Sequence, residues 1–450
     1  MEAAETRIVI IDDDPTGCQT VRDVPVFMVW DETSIREALA RYEAFFILTN
    51  TRAMTAGEAR KVSREVAENL KRANSGRYRL VIMSRGDSTL RGHLLPELEP
   101  LEVNFGPFDG LILCPTFFEG DRYTIDDVHC VRTSHGLIPV TETEFARDAV
   151  FGYTHAALPE WLEEVTQGFF HADRAVSLRT ELIRSGAQAV FEKLMTVSGM
   201  SPVVVNALNY ADMETVDAAI RKAENAGKRF VYRTAASMVR VRLGQRAAAL
   251  YRPEKSLRPG IVVVGSYTDK TTAQLEVLLR RRDLCAVEIE VERVLAGSAE
   301  VYGRELTERL NRELGCRSCV VFTSRTYALS GSTADRQRDG ARIASFVDAV
   351  FRGLTTVPGF IVSKGGITSY RVARYGLGIS RAMVRGQIAD GVPVWRIDSE
   401  SGFTGVDYVV FPGNVNLFQI QNRRHSKYPA VAPVLISYFC LCIPLKSASA

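Results

Sequence analysis

The chain has 450 residues, 46% hydrophobic and 24% charged, with a formal net charge of +3. That length exceeds one ordinary core and implies two domains of a soluble globular protein. The small, dispersed basic excess excludes a nucleic-acid-binding surface. The positive charge is mostly arginine, the side chain suited to carboxylates and phosphates.

Taken in chain order, the first half alternates two periodicities. Buried strands are predicted at Arg7–Ile11, Val24–Trp30, Phe45–Leu48, Arg79–Ser84 and Gly110–Cys114. Helices are predicted over Thr33–Tyr42 and Thr55–Arg72, the second opening with the capping box Thr55-Ala56-Gly57-Glu58. From Phe117 to Asp148 the rhythm stops, and glycines with short alternating pieces imply a hairpin or lid-like excursion. Strands resume at Pro202–Asn206 and Arg229–Arg233. Prolines and charges crowd Tyr251–Gly260, which reads as a linker between a first domain of residues 1–250 and a second of 261–415. There the pattern restarts: strand Ile261–Val264, helix Thr271–Arg281, strand Cys285–Val291, helix Ala299–Leu314, strand Ser318–Thr323. Helix Asp335–Arg352, strand Gly359–Val362 and a helix from Thr368 follow. Such alternation predicts two α/β domains with mostly parallel sheets.

Two polar segments follow predicted strands directly, the place where open α/β sheets bind ligands. The first is Asp12-Asp13-Asp14-Pro15-Thr16-Gly17. Three successive carboxylates cannot be buried as isolated charges, so they are solvated, metal-bound or ligand-facing; a solvated turn with Asp12 as helix cap is the plain alternative. The second is Gly86-Asp87-Ser88-Thr89-Leu90-Arg91-Gly92-His93 at the start of a predicted helix. Arg91 suits a carboxylate held bidentately, while Asp87 and Ser88 suit sugar hydroxyls; a surface turn with a helix cap is the alternative. Asp12-x-Asp14-x-Thr16 also matches the first motif of haloacid-dehalogenase-type phosphohydrolases, with Asp12 as nucleophile and Asp14 as acid/base. Phe45–Thr49 resembles their second motif, but that pattern does not require the Asp87–Arg91 loop.

Asp13–Gly17, Asp87–Gly92 and Cys114-Pro115-Thr116-Phe117 with Glu119-Gly120-Asp121-Arg122 resemble the four-carbon acid sugar kinase family. Gly265-Ser266-Tyr267-Thr268, Lys364–Ser369 and Phe411-Pro412-Gly413-Asn414-Val415 resemble its nucleotide-binding segments, in the family's order. The resemblance implies an ATP-dependent kinase of carbohydrate catabolism. Its N-terminal domain would hold a tetronate-type acid, its C-terminal domain ATP, with catalysis between them. Asp13, Asp14, Asp87, Ser88 and Arg91 would face the acid. Ser266, Lys364, Gly365, Gly366, Ile367, Thr368 and Gly413 would face the nucleotide. Glycines after a strand let backbone N–H groups approach phosphates, although Ser266 and Thr368 could equally be helix caps. No Walker A or complete GxGxxG is present.

Asp13 or Asp14 would orient or deprotonate the acceptor hydroxyl, with Mg²⁺ carried mainly by the nucleotide. Lys270 and Lys364 are further candidates for phosphate contact. No protein metal site is expected: Cys316 and Cys319 form a lone CxxC, Asp126-Asp127-Val128-His129 lacks coherent ligand spacing, and His93 and His129 read as packed or solvated.

Departures from the family are expected to matter. Asn416 stands where the family's last nucleotide loop closes on glycine, Thr116 and Asp121 stand where smaller residues belong, and 416–450 reads as an atypical tail. A non-catalytic acid-sugar-binding homologue with an impaired ATP site is therefore an alternative. The apolar run Val434–Leu445 is too short to span a bilayer. A polar start at Met1–Thr6 and eight scattered cysteines favour the cytoplasm. The expected partners are a small sugar acid and ATP, not a membrane, and a homo-oligomer is among the states left open.

Overall fold

The computed structural model describes residues 5–134, 136–254, 256–265, 269–296, 299–325 and 333–413. The chain forms two compact units that part between Ala248 and Ala249. Both are α/β.

In the first unit the strands are β1 (Thr6–Asp12), β2 (Pro25–Phe27), β3 (Ala44–Leu48), β4 (Arg79–Arg85), β5 (Gly110–Cys114), β6 (Arg122–Ile125), β7 (Val128–Thr133), β8 (Gly136–Pro139), β9 (Val176–Leu178), β10 (Ser201–Val205) and β11 (Phe230–Thr234). Eight of them pair in the order β2-β3-β1-β4-β11-β5-β10-β9, all parallel. Val9, Ile11, Phe45, Ile47, Ile82, Leu111, Leu113, Val204 and Val231 join one core beneath the helices. Parallel strands buried on both faces read as continuous apolar runs, and for that reason they were legible. The capping box opens helix Ala56–Asn74 as expected, with both Thr55 and Glu58 making their reciprocal bonds.

Several elements differ from expectation. β2 stops at Phe27, because the chain turns toward helix Ala56–Asn74, where Asn69 Nδ2 donates to the Trp30 carbonyl at 2.9 Å. The 117–148 excursion holds a separate antiparallel sheet, β6-β7-β8, rather than one hairpin. Residues 87–92 form a loop, and the helix after them begins only at Leu94.

The second unit contains β12 (Ile261–Val264), β13 (Cys285–Ile289), β14 (Cys319–Thr323), β15 (Phe360–Lys364), β16 (Arg381–Ala389), β17 (Val392–Ile397) and β18 (Asp407–Phe411). Its order is β13-β14-β12-β15-β18-β17-β16. The first five are parallel, while β17 runs antiparallel to both neighbours. The sequence analysis lacks β18 and also the pair β16 and β17. Their signal is Asp390-Gly391 between Ala389 and Val392, with Gly391 at φ 75°, the two-residue turn of a hairpin. The helix expected from Thr368 starts at Gly366. Tyr251, inside the expected linker, is tied to the second unit: its N–H donates to Gln387 O and its hydroxyl to Asp407.

In each unit the first strand is flanked by strands on opposite sides that the chain reaches in turn. From β1 the chain passes to β2, returns to β3 between the two, then crosses to β4 on the other side of β1. From β12 it builds β13 and β14 on one side, then crosses to β15. Loops leaving adjacent strands at such a point diverge and open a crevice. The four loops involved start at Asp12, Arg85, Val264 and Lys364, and they carry the motifs singled out above.

Candidate functional site

The first crevice is an interlocked set of carboxylates and guanidinium groups. Asp12 ends β1 and is 2% exposed, with Asp13 1% exposed beside it. Asp13 is clasped by Arg52, whose Nε and Nη2 lie 3.1 and 2.5 Å from its two oxygens. Arg52 Nη1 also stands 3.7 Å from Asp14 and 3.6 Å from Asp87. One guanidinium therefore serves three of the candidate carboxylates. Asp87 accepts further bonds from Arg91 Nε at 2.8 Å and from Thr89. Arg91 in turn reaches Asp148 at 3.6 Å and lies over the Phe145 ring, so the excursion contributes to this site.

Burial raises the pKa of Asp14 and Asp87. The nearby guanidinium groups, with bonds from Thr16 to Asp14 and from Thr89 and Arg91 to Asp87, outweigh it and hold both below the usual carboxylate range. Asp12 is the opposite case. Burial, reinforced by the charges of Asp13 and Asp14, pushes its carboxyl up to about 8 against the pull of Arg85. A Cβ on Gly17 would sit 2.0 Å from an Asp12 oxygen, so the loop closes over that carboxyl. A protonated, covered acid does not fit the nucleophile of a phosphohydrolase.

The Gly86–Gly92 loop is supported from behind by Arg233 of β11. A Cβ on Gly86 would lie 2.4 Å from the Arg233 guanidinium carbon, and one on Gly92, at φ 126°, 2.9 Å from its Nη2. Both glycines are required by this approach. Arg233 pairs with Glu97 and donates to Ser84 Oγ at 2.8 Å. The loop's outer side is held by His129, whose Nε2 meets the carbonyl of the buried Ser88 at 2.8 Å, and by Tyr153, which donates to Thr89 O. Burial lowers the His129 imidazole to about 4, consistent with a packed histidine. Thr116 is fully buried, and Asp121 adopts φ 63°, which accounts for the expectation of a smaller residue there.

Sequence reasoning missed Arg52, Arg85 and Arg233. Arg85 ends β4, Arg233 lies one residue before the end of β11, and Arg52 sits in the first turn after β3. Applying the strand-end rule to every strand would have found them.

The second crevice holds a cavity of about 370 Å³. Gly265, Gly365, Gly366, Ile367 and Thr368 line it. Gly365 turns at φ 99°, and its N–H donates to Phe411 O. Gly265 lies against Thr368, whose Oγ1 would be 2.6 Å from an added Cβ. Lys364 is buried, and its Nζ donates to the carbonyls of Pro412 at 2.9 Å and Gly413 at 3.4 Å, tying the 412–413 turn to β15. Ser266, the Lys270 side chain, Asn416 and the 416–450 tail lie outside the described residues. Among the described residues, no group of three or more His, Cys, Asp or Glu side chains is placed to hold a metal ion, and no helix is long and apolar enough to cross a membrane.

The placement of Asp12 leads to a prediction for Asp12→Asn. The folded carboxyl keeps its proton to about pH 8, whereas the unfolded one loses it near 3.8, the ordinary value for aspartate. Stability contributed by this proton is complete below pH 3.8 and declines as pH rises toward 8. Asparagine mimics the protonated acid and removes that slope. The melting temperature of Asp12→Asn relative to the unsubstituted protein is expected to rise between pH 5 and 8; a constant difference would show Asp12 to be ionised throughout.

Comparison with known proteins bears on both crevices. Residues 8–242 match the family described as sugar-binding N-terminal domain, and residues 261–415 the family described as nucleotide-binding C-terminal domain. A D-erythronate kinase of Heliobacterium modesticaldum is 27% identical over 263 residues, 57% of this chain and 54% of that protein. A D-threonate kinase of Bordetella bronchiseptica is 27% identical over 184 residues, 41% of this chain and 40% of that protein. The alignments thus span about half or less of these relatives. In fold, a solved protein of Salmonella typhimurium LT2 superposes with a TM-score of 0.65 at 20% identity, covering 93% of this chain and all of that one. A Haemophilus influenzae protein gives 0.61 at 17% identity, covering 90% of this chain and 96% of that one. With both domain matches in order and together spanning most of its length, the chain belongs to the four-carbon acid sugar kinase family.

Proposed function

We propose that this protein is an ATP-dependent kinase that phosphorylates a hydroxyl of a four-carbon acid sugar, a threonate, an erythronate or an oxo-tetronate, in carbohydrate catabolism. The observation that carries the reading is the Arg52 cluster. It keeps Asp14 and Asp87 ionised beside Arg91, so hydroxyl acceptors and a carboxylate-binding cation share one crevice. Arg91 would take the acid's carboxylate, and Asp87 and Ser88 its hydroxyls.

Of the two candidate aspartates, Asp14 suits the acceptor hydroxyl better. Asp13 has both oxygens committed to Arg52, whereas the Asp14 side chain is 15% exposed and its hydrogen bonds from Thr16 fall on one oxygen. An ionised Asp14 would orient the hydroxyl more than deprotonate it, which suffices for a loose phosphoryl-transfer transition state. In the second unit, Ser266, Gly365, Gly366, Ile367, Thr368 and Gly413 would hold the nucleotide. Lys364 would act by fixing the 412–413 turn rather than by touching phosphate. Mg²⁺ bound to ATP would supply charge neutralisation at the transferred phosphoryl group.

The test is ADP release from ATP and Mg²⁺ with a panel of four-carbon sugar acids. Acid-dependent ADP formation, lost in Asp87→Ala and Arg91→Ala, is expected. Thermal stabilisation by an acid without turnover would instead support a binding protein, and free phosphate released from a tetronate phosphate would overturn the kinase reading.

A further inference from the structure

Residues Phe145–Tyr153, at the end of the excursion and just beyond it, lie along the Asp87–His93 loop. Four side chains make the contact. The Arg91 guanidinium lies over the Phe145 ring at 5.0 Å, and Asp148 Oδ2 stands 3.6 Å from Arg91 Nη1. Phe151 meets the His93 ring edge-on at 4.8 Å, and the Tyr153 hydroxyl donates to Thr89 O at 2.8 Å. Among the described residues, the backbone from Asp148 to Gly152 makes hydrogen bonds only within 145–153. The stretch is therefore a strap held to the loop by side chains, the kind of segment that yields at low cost.

Asp148 is fixed within the strap. Its Oδ1 accepts from the N–H groups of Val150 and Phe151 at 2.9 and 3.1 Å, which leaves Oδ2 for Arg91. Arg91 itself is hydrogen-bonded only through Nε, to Asp87 and Thr89; among the described residues Nη1 and Nη2 make no hydrogen bond. The Arg91 and Asp148 side chains are 22% and 27% exposed, so solvent and solutes reach the pair. At 3.6 Å the two charges attract without a hydrogen bond, whereas a carboxylate docked on both terminal nitrogens would make two.

We propose that Asp148 stands in for the acid's carboxylate on Arg91, as an internal competitor that sets how well a carboxylate must bind to enter the site. The inference rests on the reading that Arg91 takes the substrate's carboxylate. In the empty site Asp148 offsets the Arg91 charge. A carboxylate arriving at Nη1 and Nη2 meets the Asp148 charge and must displace it or bind against it. A plain carboxylate exchanges one anionic partner for another and gains little. A four-carbon sugar acid adds bonds from its hydroxyls to Asp87 and Ser88, and so overcomes the competitor. A partly exposed ion pair of this kind changes binding by about two- to fivefold. Asp148 thus weakens every carboxylate alike, and the hydroxyls decide which acid still binds.

The test is calorimetric binding of the panel of four-carbon sugar acids and of butanoate, which lacks hydroxyls, with butanoate measured by displacement of the acid that binds best. Asp148→Asn keeps an acceptor for the Val150 and Phe151 N–H groups and removes the charge. Both dissociation constants are expected to fall in this variant by the same factor, about two- to fivefold, with kcat unchanged. The gap to the unsubstituted protein is expected to narrow as salt is raised, which a change of packing would not produce. Asp148→Ser, whose hydroxyl also caps such a turn, should behave alike and serves if the asparagine variant does not melt cooperatively. Acid affinity unchanged or weaker in a cooperatively melting variant overturns the inference and leaves the kinase reading intact. So does a gain for the sugar acid without one for butanoate, or a gain that salt does not reduce. If the unsubstituted protein binds none of the acids, the reading of Arg91 fails and the inference with it.

Discussion

Arg52→Ala is expected to reduce acid-dependent ADP release by at least a hundredfold and to destabilise the first unit by about 3–5 kcal/mol. The reason is the number of carboxylates that share this guanidinium. Asp13 is bound by two of its nitrogens, and Asp14 and Asp87 stand within 3.7 Å of a third. Without it, Asp13 would keep Arg85 at 3.6 Å, Asp87 would keep Arg91, and Asp14 would keep only Thr16. The carboxylates would then repel one another in a buried crevice. The pKa values of Asp14 and Asp87 would rise, and the site would accept protons where the proposed reaction needs acceptors for hydroxyls. Arg52→Lys should recover part of the stability but little of the rate, because an ammonium supplies the charge without the paired N–H groups that clasp Asp13. Thermal unfolding and steady-state ADP release measured on both variants check this. Turnover near the unsubstituted level in Arg52→Ala would show that Asp14 and Asp87 do not need the shared cation.

The second large effect is expected at Arg233, as a loss of stability rather than of a contact with substrate. Arg233 is buried between the Gly86–Gly92 loop and Glu97, and removing one partner of such a pair leaves a charge without compensation. Arg233→Met should cost about 3–5 kcal/mol, which for a unit of this size is roughly 6–20 °C in melting temperature. The double variant Arg233→Met with Glu97→Gln should recover much of that loss, since the stranded carboxylate is then absent. Glu97 also accepts from Thr51 Oγ1 at 2.8 Å, a bond that glutamine can retain. Additive losses in the double variant would show that the pair is not coupled, and that the loop rests on packing alone. A related consequence concerns Gly86. Any side chain there must displace the guanidinium, so Gly86→Ala should show a loss of the same kind.

The fold was legible where strands are buried on both faces and where caps are local. Ile261–Val264 and Gly110–Cys114 are four or five consecutive apolar residues, and the Thr55–Glu58 box is complete within four positions. It was less legible where a strand is only partly apolar. In Arg381–Ala389 apolar and polar residues mix, and burial follows that mixture, so the run lacks the continuous signal of a central strand. The loop at 87–92 was read as the start of a helix because its polar residues resemble a cap. In the folded chain Arg233 and His129 hold it open instead.

By itself the sequence determined which chemistry each strand end carries: carboxylates after β1, an acid, a hydroxyl and a guanidinium after β4, and glycines after β12 and β15. Those features are local, because the residue following a parallel strand stands at the sheet's ligand-binding end whatever lies beside it. Only the tertiary structure decided which of the aspartates are ionised. Asp12, Asp13 and Asp14 are consecutive, yet Asp12 is covered by its own loop while Asp14 is held ionised by Arg52 from the turn after β3. Arg85 and Arg233 arrive from β4 and β11. Charge state depends on distance and burial rather than on chain order, and both are set by the winding of the sheet.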